Sequence, residues 1–313
     1  MLEKESVILE LDNVVTTVIP TLNEEEGLGR VLKELQAVGL RNVLIVDGYS
    51  SDRTVDIARK FGARVIYQHG KGKAGAIKTA IDEVDTPYML IIDGDFSYDT
   101  SCVPRLLFHM NSHDEVIGAR VLDGANMSYL HRFGNKIITK VFNILMNADL
   151  SDVCSGMYLL RSDSARDIHL ASKGFEVEVE IAAQIASSGS ITEVPVNYRP
   201  RIGKQKLSTW KHGFKILAGI FAVARTYNPA VFYTILGTLL VIPGGSILLA
   251  TLMEWARTGD VTMHWFLIGI SMFLVSMQAM GVGVVSLILR RTELRTTRML
   301  KKILHPNVYA NRM

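Results

Sequence analysis

Residues 14–19 form a short apolar, β-branched run that stops at Pro20 and a polar stretch, residues 21–27. Such a run predicts a buried strand. Leu28, Val31, Leu32 and Leu35 then recur on one helical face, predicting a helix over 28–37. Residues 43–46 predict a second strand ending at Asp47, and residues 49–52 open a helix with Ser51 or Asp52 as its cap. Residues 63–67 predict a third strand, residues 71–76 lead into a helix, and residues 89–92 predict a fourth strand. Strand and helix in alternation predict an α/β fold, a mostly parallel sheet covered by helices on both faces. Ligands of such sheets bind at the carboxyl ends of the strands, where Asn23, Glu24, Asp47, Asp93 and Asp95 fall.

The pattern is less regular in the middle of the chain. Gly118 to Arg120 end another apolar stretch, and the His131-Arg-Phe-Gly-Asn135 segment precedes an apolar helix over 137–146. Asp152-Val-Cys-Ser-Gly156 leads into a short strand over 157–160. Residues 175–180 alternate Glu with apolar residues, as a strand does, yet residues 181–185 favour a helix starting nearby. On a helix Glu176 and Glu180 share a face and Glu178 does not. One of these glutamates serves as a base or positioning group, or all are solvated. Pro195 within residues 191–197 predicts an edge strand.

Beyond Pro229 the pattern becomes membrane-like. Residues 230–252 and 265–289 are uncharged and long enough to span a bilayer, predicting a two-helix transmembrane hairpin with a connector over 254–264. Gly269, Ala279, Gly281 and Gly283 offer small surfaces for helix contact, including self-association. Residues 201–228 hold six Lys or Arg and no acid, with Trp210, Phe214, Leu217, Ile220 and Phe221 at helical spacing. That composition predicts an interfacial helix, with a buried amphipathic helix as the alternative. Basic residues flank both outer ends, so the positive-inside rule expects a multi-pass protein of the cell membrane with its first 200 residues cytoplasmic. The expected domains are 1–200, an interfacial region at 201–228, the hairpin at 229–290 and a basic tail at 291–313. Met1 is followed by an acidic stretch with no leader pattern.

Composition narrows the chemistry. A net charge of +3 does not argue for nucleic acid. Cys102 and Cys154 form no CxxC pair and suggest neither a zinc site nor a disulfide framework. No GxGxxG follows the first strand and no P-loop spacing is present, which disfavours a dehydrogenase or a P-loop ATPase. Lys71 and Lys73 sit in a Gly-rich basic segment that either contacts phosphate or forms an exposed turn. The strongest signal is Asp93-Gly94-Asp95. Its two carboxylates resist burial together unless a cation neutralises them, and a hard divalent ion bridging to a phosphate is the simplest use. A solvated turn is the plain alternative.

Several segments together resemble glycosyltransferase family 2, in particular the polyprenyl-phosphate hexosyltransferases related to dolichyl-phosphate mannose synthase. They are residues 19–25, 46–52, 70–74, 93–95, 131–135, 152–156, 175–178 and 198–207, and their order and spacing carry the resemblance. The hairpin favours the membrane-tethered branch. The resemblance implies a GT-A-type fold. It implies that Pro20, Asn23, Glu24 and Asp47 hold the base and ribose of a nucleotide sugar. Asp93 would sit by the sugar and Asp95 would bind Mg²⁺ or Mn²⁺. Relatives often carry Gln where this chain has Ser97, a shorter metal ligand. Arg120 and Arg132 match arginines that grip the acceptor phosphate. Arg201 matches one near the donor diphosphate, with Arg199 a competing alignment. Lys73, Glu176, Glu178 and Lys204 are further substrate-binding candidates.

The implied reaction transfers a hexose from a nucleotide sugar to dolichyl or polyprenyl phosphate, with inversion by direct in-line attack. The acceptor phosphate is already ionised near neutral pH, so no strong base is needed. UDP-glucose, UDP-N-acetylglucosamine and GDP-mannose all fit, and Ser97 tilts the expectation toward a UDP-hexose. A processive polysaccharide synthase and a non-catalytic membrane adaptor with an inherited transferase fold are the rival readings. The first expects a Gln-x-x-Arg-Trp motif and a polymer channel, neither of which is found.

Overall fold

The computed structural model describes residues 11–121, 129–170, 177–203, 221, 224–225 and 228–304. Chain order runs β1 (Val15–Thr21), α1 (Leu28–Ala37), β2 (Val43–Asp47), α2 (Thr54–Lys60), β3 (Arg64–Tyr67), α3 (Gly72–Glu83) and β4 (Tyr88–Ile91). It continues with α4 (Val103–His109), β5 (Glu115–Val121), α5 (Tyr129–Met146), β6 (Tyr158–Arg161), α6 (Ser162–Arg166), α7 (Val177–Ser188) and β7 (Ile191–Asn197). Two long helices follow, α8 (Pro229–Thr258) and α9 (Met263–Leu304).

The seven strands form one sheet in the order β3-β2-β1-β4-β6-β5-β7. All neighbours are parallel except β6, which runs antiparallel to both β4 and β5. The sheet is therefore mixed and mainly parallel, a GT-A-like arrangement. Val15, Ile19, Ile45 and Leu90 pack with Leu28, Val31, Leu32 and Leu35 of α1 in the core. Every residue of β2 is buried, which is why residues 43–46 form a continuous apolar run without alternation before Asp47. β7 lies at the sheet edge, as Pro195 requires.

Four expectations change in detail. The His131–Asn135 motif does not precede a helix but lies within α5, which begins at Tyr129. The alternating glutamates resolve as helix, because α7 starts at Val177 and nine consecutive residues of it are buried, so hydrophobic alternation there was not a strand signal. α2 has Arg53 at its N-cap, but Asp52 still accepts from Thr54 N at 3.0 Å. The break between the apolar helices is shorter than residues 254–264, since α8 continues through Thr258 and α9 resumes at Met263.

α8 and α9 form a separate unit with residues 224 onward. Both are long and apolar enough to cross a membrane, consistent with a transmembrane hairpin. Glycines bring the two backbones together. An added Cβ at Gly244 or Gly269 would press on the facing helix at 3.0 Å. Ser276 Oγ donates to Gly237 O across the pair at 2.8 Å, satisfying a hydroxyl that lipid could not. Leu239, Ile242, Leu252, Val285 and Leu289 stay exposed, an apolar surface that suggests membrane association. Most of the basic 201–228 segment, with Lys204, and also Glu176, lie outside the described residues.

Candidate active site

The ends of β1 and β2 are tied by short polar side chains. Asp47 is fully buried; its Oδ1 accepts from Thr21 Oγ1 at 2.9 Å and Ser50 Oγ at 2.6 Å, its Oδ2 from Ser50 N at 2.7 Å. Asn23, in the left-handed region at φ 53°, donates its N–H to Ser50 Oγ and accepts from Ser51 N, both at 2.8 Å. Glu24 N donates to Thr54 Oγ1 at 2.8 Å. Pro20 lies opposite Val46 in this paired edge. Asn23, Glu24 and Asp47 therefore shape one loop cluster beside the Asp93–Asp95 turn.

That turn follows β4 directly. Gly27 packs on it so closely that a Cβ would lie 2.8 Å from Gly94 O, so the start of α1 is pressed against the turn's backbone. Asp95 is 5% exposed. Its Oδ1 accepts from Ser97 N at 3.1 Å and Ser97 Oγ at 2.5 Å. Between them Phe96 is held at φ 64°, a costly conformation for a bulky residue. Burial, then the neighbouring Asp93, push the Asp95 carboxyl up, against the opposing hydrogen bond of Ser97 and the charge of Arg201.

The segment after β7 lies along this turn. Arg199 N donates to Ser97 O at 2.7 Å and Ile202 N to Asp95 O at 3.0 Å. The strap brings Arg201 Nη2 within 2.9 Å of Glu24 and Nε within 3.5 Å of Asp95 Oδ2. Arg199 turns elsewhere. It pairs with Glu34 at 2.9 Å and Asp99 at 3.4 Å, and its guanidinium lies 4.6 Å from the Phe96 ring centroid. Of the two competing alignments, Arg201 reaches the acidic cluster and Arg199 braces the strained turn.

Lys73, in the first turn of α3, extends inward, while Lys71 is exposed. Gly70 and Gly72 occupy left-handed φ, and an added Cβ at Gly75 would meet Gly70 C and His69 O at 3.0 Å, so the glycines close a tight turn rather than a phosphate loop. Lys73 Nζ lies 2.5 Å from Asp93 Oδ1 and 2.6 Å from Glu178 Oε1. Burial opposes its charge, but Asp93 and then Glu178 hold the ammonium well above the ordinary lysine range.

The basic side is built on β5 and α5. Arg120 makes a fork with Asp152, Nε to Oδ2 at 2.6 Å and Nη2 to Oδ1 at 2.7 Å. Asn135 donates to the same Asp152 Oδ1 at 2.7 Å. Burial raises the Asp152 carboxyl, yet Arg120 outweighs it and holds it below the usual range. Arg132, one turn before Asn135 on α5, differs: its Nε and Nη2 are buried with no hydrogen-bond partner among the described residues. The loop over 152–156 joins the two sides. Ser155 Oγ donates to Gly118 O at 2.6 Å, and Gly156 N donates to Tyr98 Oη, also at 2.6 Å. A Cβ on Gly156 would collide with the Asp93 carboxylate.

The sequence singled out Asp93, Asp95, Lys73, Glu178, Glu24 and Arg201, which the structure links in one network. Asp152, Asn135, Tyr98 and Gly156 were not chosen as site residues. The motifs at 131–135 and 152–156 were the available signal for Asn135, Asp152 and Gly156, but the contacts they make span 17 to 58 residues of sequence. Among the described residues no three His, Cys, Asp or Glu side chains form a self-sufficient metal cage. What they offer is hard oxygen from Asp95, the adjoining Asp93 and Ser97. This suits a cation of the Mg²⁺ type, held by one or two carboxylates and completed by phosphate and water.

Residues 16–168 match Glycosyl transferase family 2. The chain is 34% identical to glycosyltransferase AglJ of Haloferax volcanii over 251 residues, covering 78% of this chain and 82% of that protein. It is 35% identical over 214 residues to the dolichyl-phosphate hexose transferase of the same organism, covering 67% and 93%. Mannosyl-3-phosphoglycerate synthase from Rubrobacter xylanophilus superposes with a TM-score of 0.60 at 18% identity, over 72% of this chain and 78% of that one. Glucosyl-3-phosphoglycerate synthase from Mycobacterium tuberculosis, in complex with Mn²⁺, UDP and phosphoglyceric acid, gives 0.56 at 18% identity over 69% and 82%. The last two likenesses show a shared fold.

Proposed function

The chain belongs to glycosyl transferase family 2 and is related to archaeal hexosyltransferases, and from that premise we propose that it transfers a hexose from a nucleotide sugar to dolichyl or polyprenyl phosphate. One observation carries this reading. The 152–156 loop touches both the acidic turn, through Gly156 against Asp93, and helix α5, through Asp152 against Asn135. Helix α5 carries Arg132, whose Nε and Nη2 are buried without a hydrogen-bond partner among the described residues. Such a site receives two phosphorylated molecules, one through a cation and one through a guanidinium. The fold relative that holds Mn²⁺, UDP and phosphoglyceric acid supports the same pairing. The two apolar helices supply a reason for a lipid acceptor, since an isoprenoid loses about 0.8 kcal/mol per CH₂ on leaving the bilayer.

In this reading the Pro20, Asn23, Glu24 and Asp47 cluster forms the nucleoside rim, with Asp47 acting by holding Ser50 and Thr21 in place. Asp95, seconded by Ser97, holds Mg²⁺ or Mn²⁺, which when bound neutralises charge on the departing nucleoside diphosphate. Arg201 exchanges Asp95 and Glu24 for the diphosphate, and Lys204 joins it. Arg132 carries the acceptor phosphate through its unpartnered Nε and Nη2, and Arg120 contributes from its Asp152-anchored position. The phosphate monoester oxygen attacks the anomeric carbon in line, giving inversion, and the leaving group departs as nucleoside diphosphate. Glu176 remains a further candidate contact for the substrate. A UDP-hexose is the favoured donor over GDP-mannose. Residues 1–200 form the transferase, 201–228 an interfacial segment, 229–290 the hairpin and 291–313 a basic tail. The positive-inside rule puts the transferase in the cytoplasm.

The test is transfer from labelled UDP- and GDP-sugars to a short polyprenyl phosphate in detergent, with and without Mn²⁺ or Mg²⁺. A lipid-linked, mild-acid-labile monosaccharide that disappears in Asp95→Ala supports the proposal. No lipid product from any donor with folded, metal-supplied protein overturns it, leaving a different acceptor or a non-catalytic role.

A further inference from the structure

The Asp93–Asp95 pair carries an asymmetry that its sequence does not. Asp93 Oδ1 lies 2.5 Å from the Lys73 ammonium, while Asp95 Oδ1 faces the Ser97 hydroxyl, also at 2.5 Å. Lys73 is itself braced by Glu178 Oε1 at 2.6 Å, and its side chain is 8% exposed and that of Glu178 6%. On its far side Asp93 lies against Gly156, where no side chain fits. The carboxylate is therefore fixed from two directions, with 31% of its side chain still open to the site.

A fixed ammonium beside Asp93 repels a divalent cation arriving there, since like charges a few ångströms apart in a half-buried site interact strongly. Neutral hydroxyl groups meet no such barrier. A carboxylate whose orientation is already fixed accepts hydroxyl hydrogen bonds without further loss of rotamer freedom. Among the described residues Lys73 is the cation that pairs with the buried Glu178, so the α7 carboxylate serves to hold the lysine rather than to meet substrate. Lys73 in the first turn of α3 also opposes the helix dipole, a placement that the two carboxylates offset.

We propose that the Glu178–Lys73 pair is a positioning device: it reserves Asp93 for the hydroxyls of the transferred hexose and leaves the cation to Asp95. Lys73 and Glu178 then touch neither diphosphate nor lipid phosphate, unlike their expected role as substrate contacts. The inference rests on the proposed nucleotide-sugar reading and deepens it.

The experiment compares the full chain with Lys73→Met/Glu178→Leu, a double change that removes one charge of each sign and avoids stranding a buried carboxylate. Calorimetry at fixed Mn²⁺ measures Kd for UDP-glucose and UDP, and for GDP-mannose and GDP. In the double variant the nucleotide sugar is expected to bind about tenfold more weakly, while the nucleoside diphosphate stays within about twofold. Glu178→Gln, which keeps Lys73 on Asp93 but loosens it, is expected to fall between the two and serves where the double variant folds poorly. A purely structural role predicts parallel loss of both ligands, or no loss once the charges are balanced. Either result in the double variant overturns the inference while leaving the proposed function standing; with a poorly folded double variant, an unchanged sugar preference in Glu178→Gln does the same. Absence of binding to any sugar nucleotide by the wild-type chain overturns the proposed function, and the inference with it.

Discussion

The acidic and basic sides of the candidate site solve the problem of burying charge in opposite ways. On the acidic side Asp95 is held by Ser97 and approached by Arg201, yet its carboxyl is still pushed up by burial and by Asp93. Carboxylates there exceed the cations. On the basic side Arg120 and Asp152 neutralise each other in a two-bond fork, while Arg132 keeps buried donors that have no hydrogen-bond partner among the described residues. The difference teaches how to separate framework from site. A charge matched within the protein is mainly structural, and a charge left unmatched is where a ligand's charge completes the balance.

The sharpest way to break this comparison is to remove each arginine in turn. Arg120→Met leaves Asp152 buried beside Asn135 without its cation, and is expected to cost about 3–5 kcal/mol of stability. Arg132→Met removes donors that have no partner among the described residues, so stability is expected to stay within about 0.5 kcal/mol. Transfer to the polyprenyl phosphate is expected to fall about a hundredfold in Arg132→Met, mostly as a raised acceptor KM. Thermal unfolding and acceptor titrations of both variants give the answer. Equal destabilisation by the two would dissolve the distinction between matched and unmatched charge.

A smaller effect tests the loop that connects the sides. Gly156→Ala places a methyl group against the Asp93 carboxylate while leaving every charge in place. Overpacking of this kind costs about 1–3 kcal/mol. Because Gly156 N is also held by Tyr98 Oη, the loop has little room to retreat. The expected result is a lower unfolding midpoint with donor binding reduced more than acceptor binding. Wild-type behaviour on both counts would mean that the loop does not couple to Asp93.

How much of this could be read beforehand follows from the range of the interactions. The parallel half of the sheet was legible because burial on both faces writes itself into continuous apolar runs such as residues 43–46, and because the acidic residues fall at strand ends. α7 was ambiguous because its buried face includes Glu178 and Glu180, so the polar positions did not mark solvent. The start of α5 was missed because His131 to Asn135 look polar, yet they form the first turns of an apolar helix. The Asp152 anchor and the Gly156 contact could not be derived from spacing at all. Each depends on β6 inserting antiparallel between β4 and β5, a topological fact with no local signature.

The smallest expected effect concerns an acid outside the site, and it shows what a buried carboxylate does when no cation is at hand. Glu115 opens β5 at 1% exposure, and its Oε2 has no hydrogen-bond partner among the described residues. Burial alone pushes its carboxyl well above the usual range, so it holds its proton to higher pH than an exposed glutamate does. The native state then binds a proton that the unfolded chain, with a value of about 4.3, has released. Stability from this group is full below the unfolded value and is lost as pH rises toward the raised folded one, by up to about 1.4 kcal/mol per pH unit. Glu115→Gln removes that dependence while keeping shape. The two proteins should unfold at similar temperatures near about pH 4, with the variant gaining on the wild type as pH rises. Parallel curves would mean that Glu115 is ionised and matched by a cation after all. The rule separating matched from unmatched charge would then have missed a pair in the core, and the reading of Arg132 would lose its footing with it.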